Sequence, residues 1–167
     1  MWRFSLALAL IAADVAAFAA QGFYSAAEEW VVTKHEIDGR VAAVRINAAL
    51  PALASKKEFG RSIKFTVPFN VHNDRPFPER LDREGFEKIE EAIENLLVET
   101  NIAVFATVVT TNNIREFLLY VGDATLAQAV AEKLIADIDH HKISFRLESD
   151  PDWDAWSKFA EDPGRDK

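Results

Sequence analysis

The sequence predicts an α+β fold in which two helices cover one face of an antiparallel sheet. Two patterns support this prediction: short runs in which apolar and polar residues alternate, as in half-buried strands, and two longer runs with apolar residues at helical spacing. Along residues 63–148 these runs read strand, helix, strand, strand, helix, strand, which is the ferredoxin-like βαββαβ arrangement. We therefore predict a two-layer sandwich of this type, with an added N-terminal β-hairpin and a short aromatic C-terminal helix.

The composition is that of a single acidic globular domain. The 167 residues include 19 Lys and Arg against 27 Asp and Glu, a net charge of -8, and 49% of them are apolar. This apolar fraction is too high for a disordered acidic chain. Because there is no cysteine, disulfides, thiolate metal ligands and cysteine nucleophiles are excluded. The negative charge disfavours nucleic acid and anionic membrane surfaces as partners.

The first residues have the pattern of a secretory signal peptide. Residues 1–19 place Arg3 before an apolar stretch, which small residues follow up to Ala19. The stretch is shorter than the roughly 20 residues of a membrane-spanning helix and Asp14 interrupts it, so no stable membrane span is expected. We predict cleavage after Ala19 and a periplasmic or secreted location in a bacterium. The alternative is a buried or amphipathic N-terminal helix, since alanine and leucine favour helices.

The next element is predicted to be a β-hairpin. Strand-forming residues run from Trp30 to Ile37 and again from Val41 to Ile46, on either side of Asp38-Gly39. Both central positions of a type I′ turn need positive φ, and Asp-Gly is a favoured pair there. Residues 54–61 are predicted to connect this hairpin to the sandwich.

The first strand and helix of the sandwich follow. Alternation places Ile63, Phe65 and Val67 on the core face of a strand, and Pro68 places its end at an edge or rim. Residues 70–79 are predicted to form an irregular loop. A helix begins near Asp82, an N-cap residue type, and stops near Asn101. Its apolar positions are Phe86, Ile89, Ile93, Leu96 and Leu97, and its other side is acidic.

The second half of the sandwich is predicted in the same way. Strands over residues 103–110 and 115–121 are joined by a turn in which asparagine tolerates the left-handed conformation. Asp123 is expected to cap the second helix. The apolar positions of that helix are Leu126, Val130, Leu134, Ile135 and Ile138, and those of the last strand are Ile143, Phe145 and Leu147. The C-terminal helix has an aromatic stripe of Trp153, Trp156 and Phe159.

The face of the sheet opposite the helices is expected to carry an apolar patch on the middle two strands. Alternation assigns to it Phe105, Val109, Leu118 and Tyr120, while Val104 and Val108 would face the helices. Such a patch marks either a binding surface or a place that the chain itself covers. The sequence leaves both open: a protein partner bound at these four residues, or coverage by the N-terminal hairpin or by Trp153 and Trp156.

No catalytic, cofactor or metal motif is present. A Gly-rich phosphate loop, a Gly-x-Ser-x-Gly elbow and a His-Glu-x-x-His pair are all missing from the sequence. We therefore assign no catalytic residue and no cofactor. The nearest approach to a metal site is the set Asp137, Asp139, His140 and His141. We predict no metal there, because adjacent side chains point in different directions and histidine also suits a helix C-terminus.

Exposed polar loop residues leave an enzyme of unrecognised type open as an alternative. Its site would lie between the 72–78 loop and the 111–116 turn, since loops often carry functional residues. The polar residues that would form it are His72, Asp74, Arg115 and Glu116.

A series of short motifs resembles a known family. The motifs are Trp30-Val31-Val32, Glu36-x-Asp38-Gly39, Val44-Arg45-Ile46-Asn47, Phe65-Thr66-Val67-Pro68, Arg115-Glu116-Phe117 and Asp150-Pro151-x-Trp153-x-x-Trp156. In this order the motifs resemble those of the domain of unknown function 695 family. The resemblance extends over roughly residues 28–163 and implies a single domain over that range. The sequence departs from the family at Leu118-Leu119, where aromatic residues are usual, and at Trp156, where tyrosine is usual. The resemblance implies no catalytic residue, because the family has none assigned.

The resemblance also implies an architecture similar to that of the ferredoxin-like inhibitor of ribonuclease E, which regulates RNA turnover by binding the enzyme. Shared architecture does not transfer function, and an exported protein would not meet a cytoplasmic ribonuclease. We predict a non-catalytic binding or regulatory module of the cell envelope that engages a protein partner through the apolar patch or the acidic helix face. A cytoplasmic ribonuclease inhibitor stays open if the leader is not cleaved. The sequence does not indicate the oligomeric state.

Overall fold

The computed structural model describes residues 29–70, 78, 80–111, 113–139 and 141–160. The elements are β1 (Trp30–Ile37), β2 (Arg40–Asn47), α1 (Leu50–Leu53), β3 (Arg61–Pro68), α2 (Arg80–Ile93), β4 (Ala103–Thr110), β5 (Ile114–Val121), α3 (Ala124–Asp137), β6 (Ser144–Ser149) and α4 (Asp154–Ala160). A π-helical turn at Glu94–Val98 extends α2. The predicted signal peptide, His72, Asp74 and His140 lie outside the described residues.

The six strands in the described part of the chain form one antiparallel sheet in the order β1-β2-β4-β5-β3-β6. Together with α2 and α3 on one face, β3 to β6 form the ferredoxin-like unit, so the predicted α+β fold is confirmed. The N-terminal hairpin extends this sheet, because β2 pairs with β4. Its turn has positive φ at both Asp38 (51°) and Gly39 (73°), as the type I′ prediction required.

Helices α2 and α3 form the main core with the face of the sheet that they cover. Phe86, Ile89 and Ile93 of α2 are buried there, as their spacing predicted. The α2 helix begins at Arg80, earlier than predicted, and Asp82 lies in its first turn, where an acidic side chain also suits the helix dipole. No helix among residues that the structure describes is long and apolar enough to cross a membrane.

Two helix ends follow the predicted chemistry. The Asp123 carboxylate accepts hydrogen bonds from the backbone N–H groups of Thr125 at 2.9 Å and Leu126 at 3.0 Å, so it caps α3. Asn101 adopts a φ of 59° after the π-helical turn, which stops the helical stretch. Local residue chemistry therefore determines where α3 begins and where the helical stretch of α2 ends.

The opposite face of the sheet is also covered, by α1 and by α4. The apolar residues beneath and within this layer are Leu50, Leu53, Phe59, Val104, Ala106, Leu118, Tyr120 and Trp153, and, towards the hairpin, Ala42, Val44, Ile46, Val109 and Phe159. The predicted aromatic C-terminal helix is α4. Its stripe of aromatic residues thus supplies the cover for the second face of the sheet.

A β-bulge in β4 changes which side chains share a face. The pairing of β4 with β5 shifts between Phe105 and Thr107. Phe105 therefore lies in the core beneath α2 and α3, whereas Val104 and Ala106 lie beneath α4. The prediction that Phe105 faces away from the helices, and Val104 towards them, is wrong because the bulge adds one residue to β4 and reverses the alternation. Val109, beyond the bulge, lies on the α4 face as predicted.

Candidate functional site

The chain itself covers the predicted partner-binding patch. Val109, Leu118 and Tyr120 lie on the face beneath α4, and Phe105 lies on the other face. All four side chains are buried. The Trp153 ring closes the patch, with its centroid 5.1 Å from that of Tyr120. A partner would therefore have to displace the C-terminal segment to reach Val109, Leu118 and Tyr120, and Phe105 lies beneath α2 and α3 instead.

The carboxylate of Asp150 anchors the covering segment. It accepts hydrogen bonds from the Tyr120 hydroxyl at 2.6 Å and from the backbone N–H groups of Asp154 at 2.8 Å and Ala155 at 3.1 Å. Asp150 thus satisfies the first N–H groups of α4, which have no partner within the helix, together with a hydroxyl from the sheet. This one side chain ties α4 to β5.

Two tryptophans hold the same segment against the backbone of earlier elements. Trp153 Nε1 donates to the Phe59 carbonyl at 2.7 Å, and Trp156 Nε1 donates to the Asn47 carbonyl at 3.2 Å. Trp153 also has a φ of 61°, a left-handed conformation that bulky residues rarely adopt. Its burial and hydrogen bond maintain this conformation, which costs about 1–2 kcal/mol in an L-residue.

The pKa of Tyr120 gives the first testable prediction. Burial, and then the hydrogen bond to Asp150, raise the pKa of Tyr120 above its ordinary value of 10.0. A tyrosine whose pKa is higher in the folded state than in the unfolded state stabilises the folded state. This contribution is complete below the pKa of the unfolded state and is lost as the pH rises from that value towards the pKa of the folded state. We therefore expect the free energy of unfolding to fall above about pH 10, by up to about 1.4 kcal/mol per pH unit from this group.

The Tyr120→Phe variant isolates this contribution from other alkaline titrations. Urea unfolding from about pH 8 to pH 11 should show a shallower alkaline decline for the variant than for the native chain. At about pH 8 the variant should be less stable by roughly 1.5–3 kcal/mol, because it loses a hydrogen bond to a carboxylate. Identical pH profiles for the two proteins would show that Tyr120 does not titrate differently on folding.

A second polar cluster, which we call the Glu90 clamp, joins Glu90 of α2 to Arg45 of β2 and Arg115 of β5. Arg45 Nη2 pairs with Glu90 Oε1, and Arg115 Nη2 pairs with Glu90 Oε2 at 3.2 Å. Arg115 also donates to Thr110 Oγ1 at 3.1 Å. Both carboxylate oxygens of Glu90 are thus engaged by guanidinium groups, so this carboxylate is suited to fastening α2 to the sheet rather than to general-base chemistry.

Aromatic rings surround the two arginines of the Glu90 clamp. The Arg45 guanidinium carbon lies 4.5 Å from the Trp30 ring centroid, and that of Arg115 lies 5.4 Å from Phe86 and 5.3 Å from Phe117. Burial lowers the pKa of Arg115 from its ordinary value, and the nearby carboxylate of Glu87 opposes that shift. Arginine nevertheless keeps its positive charge at neutral pH, so the two guanidinium groups require the negative charge of the Glu90 carboxylate beside them.

The residues proposed for an enzyme site do not come together in the described part of the chain. Arg115 and Glu116 are consecutive in β5, so their side chains point to opposite faces of the sheet. Arg115 contacts Glu90 on the helix side, whereas Glu116 Oε1 pairs with Lys64 Nζ at 3.1 Å on the α4 side. His72 and Asp74, their supposed partners, lie outside the described residues.

Asp137, Asp139 and His141 are the described members of the Asp and His set at the end of α3. Among residues that the structure describes, no group of three or more His, Cys, Asp or Glu side chains is arranged to hold a metal ion. His141 packs instead against Phe86, with ring centroids 6.1 Å apart. His141 therefore lies against α2.

The structure contains a groove beside α4 that the sequence analysis missed; we call it the α4 trench. Its enclosed part has a volume of about 140 Å³ and is lined by polar residues that include Ser62, Lys64, Thr107, Glu116, Glu148 and Lys158. It continues into a shallower depression of about 550 Å³ that includes Asp150 and Asp154. In the sequence, only the alternating polar residues of β3 and β6 indicated this groove, and the same alternation is also typical of a solvent-exposed face.

Strand β1 is an outer strand with exposed apolar side chains. It pairs with β2 over all eight of its residues without a register shift, and no described strand pairs with its other edge. Val31 (39% exposed), Val32 (71%) and, on β2, Val41 (39%) are the exposed large apolar residues of the described chain. We call this feature the β1 edge. The sequence pattern identified the strand, but not its outer position.

The opposite edge of the sheet has a different character. Strand β6 has six residues and carries Arg146 and Glu148, whose side chains are exposed and form an ion pair at 2.8 Å. Short edge strands with charged side chains resist the addition of further strands. β1 is longer, with eight residues, and although it carries Lys34 and Glu36, the hairpin is the part of the described surface where large exposed apolar side chains are gathered.

Comparison with protein families matches residues 28–160 to a family that is described as a family of unknown function, DUF695. This range contains every helix and strand described above. Neither the curated proteins nor the solved structures gave a match.

Proposed function

The chain belongs to DUF695, a family of unknown function, and we propose that it is a non-catalytic protein-binding module. The observation that carries this proposal is the β1 edge, where the exposed valines lie on a strand whose outer edge pairs with no other strand of the described residues. A partner would add an extended segment to β1 as a further antiparallel or parallel strand. The sheet of the complex would then have one strand more than the free protein.

The geometry of β1 suits strand addition. An outer strand presents a row of backbone N–H and C=O groups that can pair with another chain. β1 contains no proline, and its continuous register with β2 leaves it free of bulges. Val31 and Val32 project to opposite faces, so an added strand would find an apolar contact on each side.

Charge favours a basic partner over a second copy of this chain. The net charge of -8 makes two copies repel each other, whereas it attracts a chain with lysine and arginine. Acidic side chains lie near both ends of β1: Glu29 precedes the strand, Glu36 is near its end and Asp38 lies in the turn, while Lys34 is the lysine of the strand itself. We therefore propose an extended partner segment with alternating apolar residues, flanked by basic ones.

The test uses a photo-crosslinking amino acid placed at Val32 in the full-length protein inside its native cell. We expect a crosslink to a protein whose joined peptide has alternating apolar residues and flanking basic ones. The purified partner should then slow hydrogen exchange of the β1 backbone amides. Val32→Lys should weaken its binding at least about tenfold, because it places a positive charge on the edge next to a basic segment.

Arg146 on β6 provides the matched control, since it occupies the other edge of the same sheet. A crosslinker at position 146 should capture no such peptide, and Arg146→Ala should leave the affinity unchanged. Equal capture at positions 32 and 146, or no change in β1 hydrogen exchange on binding, would refute strand addition at the β1 edge.

We also propose that the protein acts in the cell envelope. The support is the secretory pattern of residues 1–19. N-terminal sequencing of the native protein tests this directly: a mature chain that begins just after Ala19, recovered outside the cytoplasm, is expected. An intact Met1 on a cytoplasmic protein would overturn export and direct the search to cytoplasmic partners, a ribonuclease among them.

A further inference from the structure

We infer that the β1 edge selects its partner by the order of charges along the added segment, an inference that rests on the proposed function. The added strand runs antiparallel to β1, with a basic side chain opposite Glu36, an acidic one opposite Lys34 and an apolar one opposite Val32. Read from its N-terminus, the bound segment therefore has the order basic, any residue, acidic, any residue, apolar.

The backbone of β1 presents every second residue to its outer edge. Opposite residues of an antiparallel pair alternate between pairs that exchange backbone hydrogen bonds and pairs that exchange none. The Glu29 carbonyl, one residue before β1, accepts a hydrogen bond from the Ala48 N–H at 2.7 Å, in register with the pairing of β1 and β2. Odd-numbered residues of β1 therefore bond to β2. The N–H and C=O groups of Val32, Lys34 and Glu36 point away from β2, towards an added strand.

The side chains of these three outward-facing residues lie on the face of the sheet that carries α2. Trp30 marks this face, because its ring packs against Phe105 of the main core, with centroids 5.8 Å apart. His35 marks the other face, because its ring centroid lies 5.3 Å from that of Phe159 in α4. Since side chains alternate along a strand, the outward-facing residues share the face of Trp30, and all three are exposed there. Residues directly opposite them on an added strand would lie beside them on that face.

The charges of Lys34 and Glu36 form no ion pair with any residue that the structure describes. On β2 they are opposite Ala43 and Val41, which are apolar. All four charged side chains of β5 and β6, by contrast, are in ion pairs. Opposite charges on an added strand would complete the two pairs that β1 lacks, whereas like charges directly opposite would repel.

The distribution of residues along β1 sets the direction of the bound segment. The exposed Val31 and Val32 lie in the first half of the strand, and Lys34 and Glu36 lie in the second half. Every strand pair of the described sheet is antiparallel, and antiparallel pairing is slightly more stable per residue than parallel pairing. An antiparallel segment therefore begins beside the charged half of β1 and ends beside the valines.

The experiment titrates the full-length, isotope-labelled protein with two end-capped peptides, Thr-Lys-Thr-Glu-Thr-Val-Val and Thr-Glu-Thr-Lys-Thr-Val-Val. The first places lysine opposite Glu36 and glutamate opposite Lys34, and the second exchanges the two charges. Because the peptides have the same composition, the net charge of the protein attracts both equally. We expect saturable shifts of the β1 amide signals, with an affinity at least about fivefold higher for the first peptide. Its binding should slow hydrogen exchange at the three outward-facing amides and leave exchange at the intervening amides of β1 unchanged.

The charge-reversed protein, with Lys34→Glu and Glu36→Lys together, is the matched control, since its net charge is unchanged. It should prefer the second peptide by a similar factor, with thermal unfolding confirming that it folds. Equal affinities of the two peptides for the β1 edge of the native chain would overturn selection by charge order and leave strand addition standing. The absence of saturable shifts in β1 with both peptides would refute the inference and count against strand addition as well.

Discussion

Replacing Trp153 with alanine is expected to lower the free energy of unfolding by about 3–5 kcal/mol. Trp153 is 1% exposed, packs against Tyr120 and donates a hydrogen bond to the Phe59 carbonyl at 2.7 Å. Removal of a large aromatic side chain from a packed core has a cost of this size, because it forfeits burial and leaves a cavity. Since a whole domain is stable by only about 5–15 kcal/mol, urea unfolding should show the loss clearly.

The backbone conformation of Trp153 makes a sharper version of this test possible. At a φ of 61°, glycine is favoured over alanine by about 1 kcal/mol or more, because glycine has no Cβ to clash. Trp153→Gly should therefore be more stable than Trp153→Ala, although both lose the indole ring. Phe159 is the matched control, since it is buried within the helix α4, where alanine should be the better replacement. A more stable alanine variant at position 153 would contradict the left-handed conformation.

Replacing Glu90 with alanine is expected to lower the free energy of unfolding by about 2–3 kcal/mol. The change leaves Arg45 and Arg115 beside apolar and aromatic groups without their shared carboxylate. Loss of one partner from a fully buried ion pair costs about 3–5 kcal/mol. We expect less here because the three side chains are 20–32% exposed and water screens part of the interaction.

Glu91→Ala is the control for the Glu90 clamp. Glu91 is the next residue of α2 and is exposed, so its removal should change the free energy of unfolding by no more than about 0.5 kcal/mol. Arg115→Met in the Glu90→Ala background should recover part of the loss, since it removes a buried charge that has lost its carboxylate. Equal costs for the two glutamate variants would mean that the clamp contributes nothing to stability.

The parts of the fold that follow from local chemistry were predictable from the sequence. The Asp38-Gly39 turn, the Asp123 cap and the stop at Asn101 each depend on backbone conformations that a few residue types favour. The alternation of β3 and the helical spacing of α2 then gave the order of elements. Because that order is compatible with few sheet topologies, the ferredoxin-like arrangement followed.

The bulge in β4 could not be predicted in this way. Alternation assumes that each residue of a strand opposes one residue of its neighbour, and the shift between Phe105 and Thr107 breaks that rule. No residue in the stretch is a glycine that would have signalled it. Because of this one extra residue, Phe105 lies on the helix-covered face of the sheet and is not part of the predicted patch.

The candidate sites depend on residues that are far apart in the sequence. The Glu90 clamp joins positions 45, 90 and 115, and the α4 trench joins strands β3, β4, β5 and β6 to the C-terminal helix. The exposure of Val32 depends on the strand order, which leaves β1 outermost. Local patterns identify the elements that carry these residues, but the pairing of the elements decides which residues meet.

The position of the N-terminal hairpin has a consequence for the solubility of the domain. β4 is buried along all eight of its residues, and β2 covers the edge that would otherwise be the outer edge of the ferredoxin-like unit. An apolar strand of this kind, without proline or charge, is typical of segments that aggregate into amyloid-like fibrils when their edge is open. The hairpin thus shields an aggregation-prone strand, and a fragment that begins after Asn47 would expose it.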